Sequence, residues 1–382
     1  MSASAAVRHL RDYVAIPSVN PMGRADIDAR WVGEQRYAEH VHQQLGRLGI
    51  GSVLIGEGSR RSVVGEVRAG RDAETLLVAS HLDTVPVDNM VIDPFDPVVK
   101  DGRLYGRGSC DTKAGMAALV AALERVLARG TLARHLVVVG EADEETSDSI
   151  GVSDVLAHLE GTRIDWSIAT EPTGLRIVNA HKGTAMAKLE AHGRACHSSE
   201  PGRGKNAIVA LARAVLAMEA LGVKLAHHVH EGLGQATLSI GLIGGGQAPN
   251  IVPDRAWLAL DRRTLPGDTS ASITREIESA LASAGIADVE LADLRMGKEP
   301  LFLGPEHAAF QACRRALERC GCDASASSVA FGTDAGLFAQ AGIPSLVLGP
   351  GSINQAHTDA EYVEIDQLER MVGVFEQLLE GA

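Results

Sequence analysis

An alternation of short apolar runs with a helical pattern constrains the fold of this chain more than any other feature. Residues 75–80 (TLLVAS), 135–140 (HLVVVG) and 166–170 (WSIAT) are candidate buried strands. Between the first two runs, residues 113–127 carry apolar side chains at helical spacing, with alanine in place of β-branched residues. A strand–helix–strand order predicts an α/β fold with parallel strands.

The middle of the chain has a different pattern, which predicts a second domain. Candidate strands and helices follow one another there in the order βαββα, at 185–191, 206–221, 236–243, 256–262 and 270–284. This order suits a small α+β insert with an antiparallel sheet.

The α/β pattern resumes in the last part of the chain, with a helix at 306–320, an apolar run at 345–348 and a helix at 365–379. We therefore expect a main α/β domain with a mixed, mostly parallel sheet flanked by helices. It would comprise residues 1–181 and 297–382, with the inserted α+β domain over residues 182–296.

Composition excludes several classes of partner. The 382 residues carry a formal net charge of −13 and only 3% aromatic side chains, which disfavours binding to nucleic acid or to an anionic membrane. No stretch approaches the ~18–20 apolar residues of a membrane span. Residues 1–16 contain Arg8, Arg11 and Asp12 among apolar residues, which indicates an amphipathic helix rather than a signal peptide. The five cysteines form no paired framework, and a cytoplasmic protein is expected.

Histidine and acidic residues follow the predicted strands. His81 comes directly after the first strand, and ligands of open α/β sheets gather beyond the carboxyl ends of strands. Asp83, two residues later, can project to the same side and orient the imidazole of His81. A His-x-Asp pair is equally compatible with a polar loop.

Three further loops carry candidate ligands. Asp111 lies in a glycine-rich turn before the helix and could also be its N-cap; the turn matches no phosphate-binding pattern. Glu144 and Glu145 belong to an acidic stretch after the second strand, where the alternative is a solvated loop. Glu171 follows the third strand, and His357 follows the apolar run at 345–348.

Considered together, these residues indicate a metal centre. Two imidazoles and three carboxylates form a donor set for a pair of divalent ions such as zinc, with cobalt or manganese as substitutes. One carboxylate must bridge ions ~3.5–4 Å apart, and one glutamate must stay uncoordinated to transfer protons.

The combined motifs resemble the dinuclear zinc aminoacylase and carboxypeptidase family, peptidase family M20. This family includes acetylornithine deacetylase, succinyl-diaminopimelate desuccinylase and glutamate carboxypeptidase. The motifs occur in family order along essentially the whole chain: HLDTVP (81–86), GRGSCDTKAG (106–115), DEET (143–146), EPT (171–173) and QAH (355–357).

The resemblance implies a role for each candidate residue. Asp111 would bridge two metal ions, each completed by one histidine and one glutamate: His81 with Glu171, and His357 with Glu145. Glu144 would be the general base, and Asp83 would orient His81. The resemblance also implies a cis peptide bond between Asp111 and Thr112.

The insert resembles the family as well. His197 takes the position of a histidine that reaches the partner subunit's active site and helps to stabilise the oxyanion, so a homodimer is implied. The alternative is a monomer in which the insert is only a lid. Arg263, aligned on LPG (265–267), takes the position of the substrate-carboxylate arginine, and Asn250 would assist at the substrate carboxylate or at the oxyanion. We interpret Arg262 as a solvated neighbour. For His197 considered without the resemblance, a polar loop residue is the alternative.

The implied reaction is hydrolysis of the amide of a small N-acylated amino acid. Residues 345–357 and AHKG (180–183) look most like acetylornithine deacetylases, but FGTDAG (331–336) stands where those enzymes usually carry CTEAP. N-succinyl-diaminopimelate, another N-acyl amino acid and a dipeptide are therefore alternative substrates. A non-catalytic binding protein would be favoured only if Glu144 or a ligand were missing, and all are present.

Overall fold

The computed structural model describes residues 3–146 and 149–381, which divide into two compact units. The first unit comprises Met1–Asn179, Leu303–Ser328 and Thr333–Ala382. The second comprises Ala180–Phe302 and Val329–Gly332. The sequence pattern placed the insert at 182–296.

The first part of the chain supplies four helices and eight strands among the described residues. The helices are α1 (Ala5–Val14), α2 (Gln35–Arg47), α3 (Lys113–Arg129) and α4 (Ile150–His158). The strands are β1 (Gly51–Ile55), β2 (Ser62–Val67), β3 (Thr75–His81), β4 (Val98–Lys100), β5 (Arg103–Tyr105), β6 (His135–Glu141), β7 (Trp166–Ala169) and β8 (Ile177–His181).

The middle of the chain forms a four-stranded antiparallel sheet with two helices and several short strands. The long elements are β9 (Gly183–His192), α5 (Ala207–Leu225), β13 (Thr237–Gly245), β15 (Arg255–Thr264), α6 (Ser270–Ser283) and β16 (Val289–Met296). The short elements are β10 (Cys196–His197), a 3-10 turn (Pro201–Arg203), β11 (Val229–His230), β12 (Gly234–Gln235), β14 (Ile251–Val252) and β17 (Leu301–Phe302).

The strands of this sheet lie in the order β13-β15-β9-β16, and apolar side chains of β9 and β15 share a core with α5 and α6. Strand β16 is absent from the βαββα pattern that the sequence suggested. Its sequence, VELADLRM, has one β-branched residue among good helix formers, so local propensity does not favour a strand. Antiparallel pairing with β9 over Val289–Met296 holds it extended.

The last part of the chain completes the first unit. It contributes α7 (Ala308–Arg319), β18 (Ala326–Val329), α8 (Ala335–Gln340), β19 (Ser345–Val347), β20 (Tyr362–Glu364) and α9 (Ile365–Leu379). Strand β20 joins β5 and β4 in a small antiparallel sheet.

The central sheet of the first unit runs in the order β1-β2-β6-β3-β7-β19-β8. Strands β6, β3, β7 and β19 are parallel neighbours, and the strands outside them are antiparallel. The expected α/β class with a mixed sheet, parallel at its centre, is confirmed. The order of the four parallel strands places their carboxyl ends side by side.

Helix α3 begins two residues after Asp111, one of the candidate ligands. Twelve of its seventeen residues are buried, and five of these are small alanines that allow close packing against α1 and α9. Its first turn lies against the end of β7 because Gly115 has no side chain. A Cβ at Gly115 would lie 2.2 Å from Oγ1 of Thr170. Glycine at position 115 therefore allows the start of α3 to lie close to Thr170, the residue before Glu171.

Candidate metal centre

The candidate ligands lie at the carboxyl ends of the four parallel strands. His81 is the last residue of β3, and Glu145 lies four residues after β6 ends. Glu171 follows β7 by two residues, and His357 belongs to the loop after β19. Asp111 precedes α3, the helix that follows β3. Because these strands are neighbours, residues far apart in sequence meet at one edge of the sheet.

Asp111 lies between the two histidines. Its Oδ1 is 3.0 Å from Nε2 of His81, and its Oδ2 is 3.3 Å from Nε2 of His357. The same Nε2 of His357 is 3.3 Å from the carboxylate of Glu145. Ligand atoms of His81, Asp111 and Glu145 lie within 4.8 Å of one another, as a metal site requires. Each oxygen of Asp111 therefore faces a different imidazole.

The site is strongly acidic and holds its imidazoles protonated when no cation neutralises the carboxylates. Hydrogen bonds to Asp111 and then Glu145 raise the pKa of His357 to about 10. Burial disfavours the charged form of His81, but hydrogen bonds to Asp111 and Asp83 outweigh that cost and hold its pKa well above the usual value. The charge of buried Glu171 acts in the same direction on His81.

Asp83 holds both His81 and the loop that carries Glu144 and Glu145. The Nδ1 of His81 donates to the backbone carbonyl of Asp83 at 2.9 Å, and the carboxylate is farther away, at 3.5 Å. The two carboxylate oxygens of Asp83 accept hydrogen bonds from the backbone N–H groups of Glu144 and Glu145, each at 3.0 Å. With its Nδ1 donating, a neutral His81 presents the lone pair of Nε2 to the site.

A buried ion pair that sequence reasoning missed holds the turn of Asp111. Glu361 accepts the backbone N–H groups of Gly108, Cys110 and Asp111 at 2.9–3.1 Å, and Nη1 of Arg107 at 2.7 Å. Both ionic side chains are fully buried. The sequence offered no signal for Glu361, which looks like a solvated acid four residues after His357.

The backbone of the site has two unusual features. The peptide bond between Asp111 and Thr112 is cis, as the resemblance implied. His357 adopts a positive φ of 59°, an uncommon conformation for a residue with a side chain.

The second unit contains the remaining candidate residues. His197 is an exposed residue of β10 whose Nδ1 lies 2.7 Å from Oγ of Ser199, and Asn250 is exposed in the turn before β14. Arg263 is half-buried, and its Nε donates to Asp261 at 2.9 Å. The interpretation of Arg262 as solvated is wrong: its side chain is 1% exposed and pairs with Asp268 at 3.2 Å. Alternation along β15 turns neighbouring arginines to opposite faces.

The loop that departs from acetylornithine deacetylases is largely internal. Thr333 and Asp334 are both buried, and Asp334 accepts a hydrogen bond from Oγ of Ser149 at 2.8 Å. Its charge also acts on buried Glu141 at the end of β6.

Comparison with known proteins identifies the family. The sequence model of peptidase family M20/M25/M40 matches residues 77–381 of this chain. The chain belongs to this family. Membership of this peptidase family, together with relatives that are deacetylases, makes the chain a metal-dependent amidohydrolase.

Two relatives of this M20 hydrolase are acetylornithine deacetylases. That of Klebsiella pneumoniae is 35% identical over 303 residues, 77% of each chain. That of Erwinia tasmaniensis is 33% identical over 305 residues, 78% of this chain and 77% of the relative. The crystal structure of aminopeptidase PepT from Bacillus cereus shares the fold, with a TM-score of 0.79 at 21% identity, covering 98% of this chain and 97% of that one.

Across the described residues, every helix is too short or too polar to cross a membrane.

Proposed function

We propose that this protein removes the acyl group from a small N-acylated amino acid, in the manner of an acetylornithine deacetylase, at a pair of divalent metal ions. The observation that carries the proposal is the placement of Asp111, with one carboxylate oxygen towards each of two histidines. A bridging carboxylate needs this arrangement. The identity of 35% to an acetylornithine deacetylase supports the substrate class.

The proposed ligands follow from this placement. His81 and Glu171 would hold one ion, His357 and Glu145 the other, and Asp111 both. Imidazole and carboxylate suit zinc, which we propose as the metal, and cobalt or manganese could replace it. What bound ions supply at such a site is Lewis acidity, which polarises the scissile carbonyl and lowers the pKa of water towards ~7.

The protein's own groups would then transfer the proton and hold the substrate. Glu144 takes a proton from the attacking water and returns it to the leaving amine. Arg263 pairs with the substrate's α-carboxylate, assisted by Asn250, and His197 donates to the developing oxyanion. Asp83 keeps Glu144 in place through the backbone N–H of that residue.

A hydrolysis panel tests this function. Zinc- and cobalt-loaded protein would be assayed with N-acetylornithine, N-succinyl-diaminopimelate, other N-acylated amino acids and dipeptides. Preference for an N-acetyl amino acid supports the proposal, and preference for a dipeptide or the succinyl substrate assigns an alternative. Turnover of none by metal-loaded protein would favour a non-catalytic role.

Metal binding should release protons, and its apparent affinity should rise with pH. The pKa of His357 is about 10 without metal, so this imidazole is protonated at neutral pH and must lose its proton to become a ligand. Affinity should therefore rise with pH across the range below about 10, in which His357 loses its proton. Calorimetric titration at pH 8 in buffers of different ionisation enthalpy measures the released protons. His357→Ala should release fewer, and an equal release would contradict the assignment.

Arg263→Ala should chiefly raise KM, because a carboxylate contact is made in both the ground and transition states. The loss should be much smaller for a substrate amide that lacks the α-carboxylate. Arg295→Ala is the matched control, since Arg295 pairs with Asp293 two residues earlier, as Arg263 does with Asp261. Equal KM values for both variants would remove Arg263 from the substrate site.

We also propose a homodimer formed by the second unit. Strand β13 is an edge of its sheet and exposes Leu242 and Ile243, and α5 exposes Leu216 and Val223. An exposed apolar edge favours pairing with a second copy through an isologous contact. His197 would then act on the neighbour's site.

Co-expression of two inactive variants tests the action in trans. Glu144→Ala and His197→Ala chains should together regain part of the activity, because one site of each mixed dimer has both an intact base and an intact partner histidine. No recovery in verified mixed dimers would exclude that role, and a monomer by sedimentation would exclude the dimer.

A further inference from the structure

Asn20 lies behind the candidate site, between two carboxylates that belong to different loops. Its Nδ2 donates to Oδ2 of Asp83 at 2.9 Å and to Oδ1 of Asp143 at 2.8 Å. All three side chains are completely buried. Arg60 pairs with the other oxygen of Asp143, so Asn20 is the donor that links this carboxylate to that of Asp83.

The orientation of this carboxamide is determined by its surroundings. Its Oδ1 accepts the backbone N–H of Met22 at 3.0 Å, so the amide nitrogen must face the two carboxylates. The backbone N–H of Asn20 donates to the carbonyl of Thr84 at 2.8 Å, which ties Asn20 to the segment that carries Asp83. Both side-chain protons and the acceptor of Asn20 are thus in use.

Asp83 and Asp143 both hold the segment that contains Glu144 and Glu145. Asp83 accepts the backbone N–H groups of both glutamates at 3.0 Å. Asp143 directly precedes Glu144, has a positive φ of 66°, and accepts from Oγ1 of Thr146 at 2.9 Å. Asn20 therefore links Asp83 to Asp143, the two carboxylates that hold this segment through hydrogen bonds.

We infer that Asn20 is a positioning residue for the hydrolysis, whose carboxamide holds Asp83 and Asp143 at the spacing that aims Glu144 and Glu145 into the site. This inference rests on the proposed function for the roles of the two glutamates. Its structural part, the fixing of residues 143–146 by Asn20, does not depend on any substrate.

Asn20→Leu keeps the branched shape of the side chain, with larger methyl groups, and removes both hydrogen bonds to the carboxylates. Asn20→Ser is smaller and keeps one donor, in case the leucine variant does not fold. Gln44→Leu is the matched control. Gln44 is also a buried carboxamide of the first unit, bonded to His9 at 2.8 Å and to Tyr13, and it touches no candidate ligand.

Amide hydrogen exchange of metal-free protein gives the readout that needs no activity. Asn20→Leu and Asn20→Ser should speed exchange at the amides of Glu144 and Glu145, and Gln44→Leu should leave it unchanged. With metal-loaded protein and a hydrolysed substrate, the Asn20 variants should lose ~10–100-fold in kcat, the scale for outer partners of a metal site, with KM within about twofold.

Unchanged exchange at the two glutamates would overturn the inference even if the protein is an active deacetylase. A loss of kcat in Gln44→Leu as large as in the Asn20 variants would also overturn it, since the effect would then be general destabilisation. Faster exchange in a protein that hydrolyses no tested amide would support the positioning and leave the proposed function as the part that fails.

Discussion

Glu144→Gln should lower kcat by at least ~10²-fold while metal content and KM stay close to those of the unmodified protein. The side chain of Glu144 is half-buried at the site, and its backbone N–H is anchored to Asp83. Glutamine preserves the size of the side chain and that backbone hydrogen bond, but it cannot accept a proton from water. Steady-state kinetics and metal analysis of the same preparation measure the effect.

Glu145→Gln is the comparison that distinguishes the general base from a metal ligand. The carboxylate of Glu145 lies 3.3 Å from Nε2 of His357, so its loss should lower metal content first and activity as a consequence. If Glu144→Gln loses an ion and Glu145→Gln keeps its full metal content, the roles of base and ligand are reversed between the two glutamates.

One regularity of α/β proteins let the sequence predict where the candidate ligands would lie in the fold. His81, Glu145 and Glu171 each follow an apolar run, and neighbouring parallel strands end at the same edge of a sheet. The identity of the four neighbours β6, β3, β7 and β19 was not predicted, but any arrangement that made them adjacent would bring these side chains together.

Apart from Asp83, the residues that hold the ligands in place could not be predicted in this way. Asn20 contacts carboxylates 63 and 123 residues away, and Glu361 contacts a turn about 250 residues away. No periodicity or spacing relates such pairs, because their contact depends on tertiary packing. In the sequence, Glu361 resembles any exposed acid near a loop.

Two features of the second unit were also missed. Strand β16 is built of residues that favour helix and is extended only because β9 pairs with it. Arg262 and Arg263 are adjacent in sequence, and the interpretation of Arg262 as solvated overlooked that it continues the apolar face of Leu258 and Leu260. Alternation on β15 gives Arg262 the inner face, where Asp268 pairs with it, and leaves the guanidinium of Arg263 accessible.

Asp111→Ala should abolish binding of both metal ions and, with them, all hydrolysis. One carboxylate oxygen of Asp111 lies 3.0 Å from Nε2 of His81, and the other lies 3.3 Å from Nε2 of His357. Burial disfavours its charge, but hydrogen bonds from His357 and His81 hold its pKa well below the usual range, so it is an anionic ligand across the physiological range. Metal analysis after exhaustive dialysis measures the loss.

A thermal unfolding series provides the second measurement. Metal at 100 times its dissociation constant stabilises a folded protein by ~2.7 kcal/mol, so added zinc should raise the unfolding temperature of the unmodified chain but not of Asp111→Ala. Glu171→Gln should keep one ion and part of the shift. Asp268→Ala removes a buried aspartate that pairs with Arg262, and it should destabilise the protein without changing metal content. Retention of one tightly bound ion by Asp111→Ala would mean that the two sites share no carboxylate at this position, and the bridge would have to be sought at Glu145 instead.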